Sequence, residues 1–114
     1  HTFGHAIEAG LGYGKWLHGE AVAAGMMLAG RLSVLAGDLK QAEWDRLQQL
    51  LIEIGLPVDA PKLGRNRYLE LMGYDKKVLD GKLRLVLLRK LGEAYVTSDF
   101  SKELLVEVLN GVEQ

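Results

Sequence analysis

The chain has no cysteine, only two prolines, and aromatic residues at just 7% of its 114 positions. Without thiols it can form neither disulfides nor thiolate metal sites, a composition that suits the cytoplasm. An excess of charge of either sign is also lacking: 14 basic residues stand against 15 acidic ones, for a formal net charge of −1. That balance offers no basic footprint for nucleic acid or for an anionic membrane. Long apolar runs are missing too. The most apolar stretch, Glu20 to Leu35, is short for a membrane span and is interrupted by Arg31. The first residues, His1-Thr2-Phe3-Gly4-His5, carry neither a basic leader nor an apolar core, and no signal peptide is visible. They lack an initiator methionine and open inside a helical pattern. A fragment or excised domain with an artificial beginning is therefore expected.

What is present reads as one mainly α domain with a single small β-hairpin, spanning residues 1–114. Apolar residues at 48% and charged residues at 25% are ordinary for a globular domain of this length. Residues 20–35 are apolar on nearly every side, which predicts a buried central helix with both Met26 and Met27 in the core. Gly37 and Asp38 end it. A second helix is predicted from Gln41 to Ile54, with Trp44, Leu47, Leu50, Leu51 and Ile54 on its buried face. Its Glu43, Arg46, Gln49 and Glu53 should meet water. Gly55-Leu56-Pro57 stops it, and a loop over 57–64 follows. A shorter helix is expected from Asn66 to Asp75, burying Leu69, Leu71 or Met72. Gly81 marks the change to strand, with strands at Leu83–Arg89 and Ala94–Ser98 around Gly92. Asp99 or Ser101 then caps a last helix that ends near Asn110-Gly111.

All three histidines fall within the first eighteen residues: His1, His5 and His18. His1 and His5 are four apart, so on a helix their side chains share a face, a spacing that suits two imidazoles converging on one metal ion. His18 opens the next helix after a glycine-rich connection, short enough to fold it back toward His1. Glu8 and Glu20 are available as ligands or as acceptors for an imidazole N–H. Histidine pairs at this spacing also serve as surface or capping residues, so spacing alone leads to a candidate metal site and no further. Gly10, Gly12 and Gly14 have the wrong spacing for a dinucleotide fingerprint and no strand before them, and read as a tight helix–helix connection. Trp16 and Trp44 read as packing anchors.

The segments His1-Thr2-Phe3-Gly4-His5-Ala6-Ile7-Glu8, Gly12-Tyr13-Gly14 and His18-Gly19-Glu20-Ala21-Val22-Ala23-Ala24-Gly25-Met26 closely resemble the metal-binding part of the 3-dehydroquinate synthases. Asp75-Lys76-Lys77, followed by Gly81-Lys82-Leu83-Arg84 and Val86-Leu87-Leu88, is similar to a second block of the same family, in the expected order. The resemblance covers essentially the whole chain. It implies that His1 and His18 are metal ligands for zinc or cobalt, with a glutamate upstream as the third. His5 then becomes an active-site histidine that does not touch the metal. Lys76, and after it Lys77, would reach the anionic groups of the substrate, with Asp75 orienting one of them. Read without the resemblance, both lysines are solvated residues at a helix end. Arg84 also matches a family position, though on a strand a structural role suits it equally.

The resemblance further implies a reaction. A seven-carbon keto-sugar acid phosphate, 3-deoxy-D-arabino-heptulosonate 7-phosphate, is converted to 3-dehydroquinate and phosphate, a lyase step of the shikimate pathway toward chorismate and the aromatic amino acids. NAD would be bound mainly by an N-terminal domain not contained in these residues, so the isolated chain is expected to be inactive. Expected partners are the phosphorylated sugar acid, that N-terminal domain and a second copy in a homodimer, with no nucleic acid and no membrane. Two alternatives stand beside this reading: another sugar-phosphate cyclase, such as a 2-deoxy-scyllo-inosose synthase, and a non-enzymatic helical domain that binds another protein.

Overall fold

Helix α1 (Thr2–Leu11) and helix α2 (His18–Leu35) pack together at the centre of a computed structural model that describes residues 2–12, 14–81 and 83–111. For Lys76 only the backbone is described, so its side chain lies outside the described residues, as does His1. The order continues with α3 (Gln41–Glu53), α4 (Arg65–Met72), α5 (Tyr74–Leu79), β1 (Leu85–Lys90), β2 (Glu93–Thr97) and α6 (Lys102–Gly111). This is the expected mainly helical domain with one antiparallel hairpin. Among the described residues no helix is long and apolar enough to cross a membrane.

Helix α2 touches α1, α3, α6 and β1. Its Ala21, Ala24, Leu28 and Leu32 join the main core with Ile7, Tyr68, Leu85 and Leu105. Its Ala23 and Met27 form a second cluster with Leu51 of α3. The expectation for Met26 is corrected. Met27 is buried, but Met26 is 39% exposed and lines an apolar cleft with Val22 and Val86. Successive helical residues differ by about 100° in direction, and the stripe that carries Met26 falls between the neighbours that cover the rest of α2.

Small residues bring α1 and α2 unusually close. A Cβ placed on Gly25 would sit 3.0 Å from the backbone nitrogen of Gly4 and 3.3 Å from Cβ of Phe3. One on Gly4 would lie 3.6 Å from the carbonyl oxygen of Ala21. The sequence places glycine where two helix backbones nearly meet, and that contact fixes how α1 lies across the start of α2.

The buried face expected of α3 is partly corrected. Leu51 is buried and Trp44 and Leu47 are half-buried, whereas Leu50 is 53% and Ile54 61% exposed. Only α2 is extensively packed against α3, so the buried stripe is narrower than the apolar pattern suggests. The indole N–H of Trp44 donates to the carbonyl of Met27 at 3.1 Å. Glu43, expected in water, instead accepts the backbone N–H of Leu91 at 2.9 Å and holds the hairpin turn.

The predicted helix over 66–75 is two helices. Gly73 adopts φ +67°, a left-handed cap that ends α4, and Tyr74 begins α5 at once. Tyr68 and Met72 are the buried residues of α4, and the hydroxyl of Tyr68 donates to the carbonyl of Pro61 at 2.6 Å. Burial pushes the Tyr68 phenol well above its ordinary pKa.

Strand β1 starts at Leu85, two residues later than expected, and pairs from Leu85 with Thr97 to Lys90 with Glu93. Ser33 ties the hairpin to α2. Its hydroxyl donates to the carbonyl of Ala29 at 2.8 Å and accepts the N–H of Leu88 at 2.9 Å. Tyr95 donates to Asp38 at 2.6 Å, and that bond raises its phenol pKa. Of the two candidate caps for α6, Ser101 is the one used: its hydroxyl accepts the N–H of Leu104 at 3.3 Å.

Candidate metal and substrate site

His5 and Glu8 lie three residues apart on α1 and therefore share a face of it. His18 is the first residue of α2. The close α1–α2 contact sets these three side chains opposite one another. The rings of His5 and His18 stand with centroids 6.2 Å apart and planes at 68°. Nδ1 of His18 lies 2.9 Å from Oε1 of Glu8. The ring of His18 is 56% exposed and the Glu8 side chain only 17%, so the carboxylate sits underneath and the imidazole reaches outward. An anion at this place is favoured a second way, because the N-terminal end of α2 carries partial positive charge.

An ionised carboxylate can only accept, so in this contact Nδ1 of His18 is the donor and Glu8 the acceptor. This is how a histidine is set up to ligate a metal through Nε2. Glu20 has a different duty. Its Oε1 accepts the backbone N–H of Leu17 at 2.8 Å, satisfying a donor at the entry of α2. Of the two carboxylates singled out by sequence, only Glu8 meets a histidine in the contacts described.

The donor chemistry suits zinc or cobalt but is incomplete here. Among the described residues no group of three or more His, Cys, Asp or Glu side chains is placed to hold a metal ion. His18 with its supporting carboxylate fits the role of one ligand of a larger set. His1, expected as another, lies outside the described residues.

The second sequence block is joined to α1 by two routes. The hydroxyl of Thr2 donates to the carbonyl of Arg84 at 2.9 Å, joining the start of α1 to the segment that leads into β1. Helix α5, which carries Lys77 and the backbone of Lys76, packs on α4, and α4 packs on α1. The aliphatic stem of Lys77 lies over Gly73, within 3.4 Å of where a Cβ would stand. Both lysines sit in the middle of a six-residue helix. A cavity of about 720 Å³ between α2, α3 and α6 is lined by Arg31, Trp44, Asp59, Lys62 and Glu107 among others, and among the described residues neither His5, His18 nor Lys77 lines it.

A family profile described as 3-dehydroquinate synthase C-terminal matches residues 1–78, a span that includes His5, Glu8, His18 and Lys77. The chain belongs to the 3-dehydroquinate synthase C-terminal family. Proteins named 3-dehydroquinate synthase agree with it along most of its length. That of Nitrosospira multiformis is 54% identical over 109 residues, 96% of this chain and 30% of its own length. That of Hydrogenovibrio crunogenus is 56% identical over 110 residues, 96% of this chain and 31% of its own. The chain thus spans about a third of the synthases it matches.

Solved structures extend the 3-dehydroquinate synthase likeness to related cyclases. The 2-epi-5-epi-valiolone synthase of Streptomyces hygroscopicus subsp. jinggangensis, solved with NAD+ and Zn2+ bound, superposes with a TM-score of 0.76 at 26% identity, over 96% of this chain and 31% of that one. A 2-deoxy-scyllo-inosose synthase, complexed with carbaglucose-6-phosphate, NAD+ and Co2+, gives 0.75 at 26% identity, over 97% and 33%.

Proposed function

We propose that these residues are the metal- and substrate-anion-binding domain of a cytoplasmic 3-dehydroquinate synthase, a zinc- and NAD-dependent lyase. The observation that carries this is the His5, Glu8 and His18 arrangement, held across a glycine-lined helix contact inside the segment that the family profile matches. His18 and His1 would hold the metal together with a glutamate from outside these residues. When bound, the divalent ion supplies a Lewis acid for hydroxyl oxygens of the substrate. His5 lies beside that position, where an imidazole can accept or return a proton. Lys76 or Lys77 would pair with a phosphate or carboxylate of the substrate. NAD would be held mainly by an N-terminal domain, and the 114 residues alone would lack turnover.

The identity of 54% and 56% to proteins named 3-dehydroquinate synthase, against 26% to a 2-deoxy-scyllo-inosose synthase, favours the first over another cyclase. The test is an assay of the full-length protein with NAD and zinc. It is expected to convert 3-deoxy-D-arabino-heptulosonate 7-phosphate to 3-dehydroquinate, releasing one phosphate per product. Turnover only of a hexose phosphate of the kind that carbaglucose-6-phosphate mimics would move it to the other cyclase class. Indifference to zinc and to both substrates would make it a binding module.

A further inference from the structure

The outer face of the hairpin carries the wrong residues for water. Leu85 and Leu87 turn into the core, so Val86 and Leu88 turn the other way. A strand pair with one wet face alternates apolar and polar residues, whereas an unbroken apolar run belongs to a strand covered on both sides. Leu85-Val86-Leu87-Leu88 is unbroken. Val96, which pairs with Val86 across the ladder, is apolar too, yet the two stand 63% and 45% exposed. Helix α2 has the same mismatch. It is apolar on nearly every side, as an enclosed helix is, and still leaves Met26 open. The two uncovered faces form one surface. Val22 and Met26 of α2, Val86 and Leu88 of β1 and Phe3 of α1 line a cleft of about 340 Å³, and among the described residues no charged side chain lines it.

We infer that this cleft seats an apolar segment of the full-length protein that precedes these residues. The inference rests on the reading above, in which the chain is one part of a longer synthase. Two observations choose that occupant. The chain covers 30% and 31% of the two synthases it was compared with, and the matching profile is that of the C-terminal part. Most of such a protein therefore lies upstream and has to pack against something. The cleft also adjoins the candidate metal site. His18, Val22 and Met26 follow one another at four-residue spacing along α2 and so share a face of it. On α1, Phe3 and Gly4 of the cleft stand next to His5 in sequence. Among the described residues no metal-holding group is complete. A segment that completes one has to reach the start of α2, and the cleft is the apolar floor along which it would lie. A charged partner finds nothing to pair with there, whereas an apolar one takes Met26, Val86 and Val96 out of water.

The test uses the full-length protein carrying Met26→Cys or Val86→Cys, one from each wall of the cleft. Alkylation by N-ethylmaleimide is followed peptide by peptide in a mass spectrometer. Each thiol is expected to react at least about tenfold more slowly in the native protein than in urea, as a residue sealed from solvent does. A smaller ratio at either position means that the cleft is open to water, and overturns the inference. Photo-crosslinking from a diazirine amino acid at position 26, in a mixture of isotopically light and heavy chains, identifies what covers it. The expected product joins position 26 to a residue upstream of His1 in the same chain. Products that join light to heavy chains would assign the cleft to a second copy, and products confined to residues 1–114 would leave no upstream occupant. Either result overturns the inference. The functional reading fails separately. A protein that turns over its substrate while both thiols react freely sinks this inference alone, whereas protected thiols without zinc binding or turnover sink the metal-site reading alone.

Discussion

Replacing His18 with alanine in the full-length protein is expected to weaken zinc binding by a few hundredfold and to lower turnover at least as far. The magnitude follows from the ligand count. A four-ligand zinc site is worth about 10–16 kcal/mol, so one ligand accounts for roughly 3–4 kcal/mol, or about 10²–10³ in affinity. The fold should survive the change. His18 lies outside both core clusters, and more than half of its side chain meets solvent. Chelator competition, together with metal content after dialysis, checks the prediction. An affinity within twofold of the parent would mean that His18 is no ligand.

His5→Ala should separate chemistry from metal binding. Turnover is expected to fall by about 10²–10⁴-fold, the span over which a positioned acid or base contributes, while zinc content stays at the parent level. The expectation comes from placement. His5 shares a face of α1 with Glu8, is exposed, and stands with its ring centroid 6.2 Å from that of His18. It is near enough to serve the same bound substrate. Steady-state rates and metal analysis on one preparation decide the matter. An unchanged rate would make His5 a bystander, and loss of zinc would make it a ligand.

The elements that hold the site were legible because their signals are local. His18 follows a glycine-rich connection and opens a helix with Glu20 in its first turn, and α2 does begin there. The hairpin around Gly92 and the Ser101 cap follow from turn and capping chemistry that involves only near neighbours. What misled were faces rather than elements. Leu50 and Ile54 continue an apolar pattern whose outer edge no neighbouring element covers. Met26 stands beside Met27 with nothing in the sequence to tell which one turns inward. Which elements pack on a helix is decided by distant chain segments, and no window of residues contains that information. The break at Gly73 was locally visible in principle, since glycine readily takes the left-handed cap, but Tyr74 continues as helix and hides the interruption.

The candidate site shows the same division. His5 and His18 stood out as the right residue types close together in sequence. Glu8 and Glu20 looked alike there, and only the packing of α1 on α2 gave Glu8 to His18 and left Glu20 to the backbone of Leu17. Glycine at positions 4 and 25 is the residue choice behind that outcome, because any side chain at 25 would press on the backbone of α1. A contact between the two sequence blocks, from Thr2 to the carbonyl of Arg84, had no signal in the sequence at all.

The central claim is that the outward edge of His18, backed by Glu8, grips a divalent cation. The most direct measurement is anomalous diffraction at the zinc edge from crystals of the full-length protein. The account predicts one strong peak about 2.0–2.1 Å from Nε2 of His18, with Nδ1 still on Glu8. A zinc peak remote from this ring, or one bound through Nδ1 with Glu8 turned away, would contradict it.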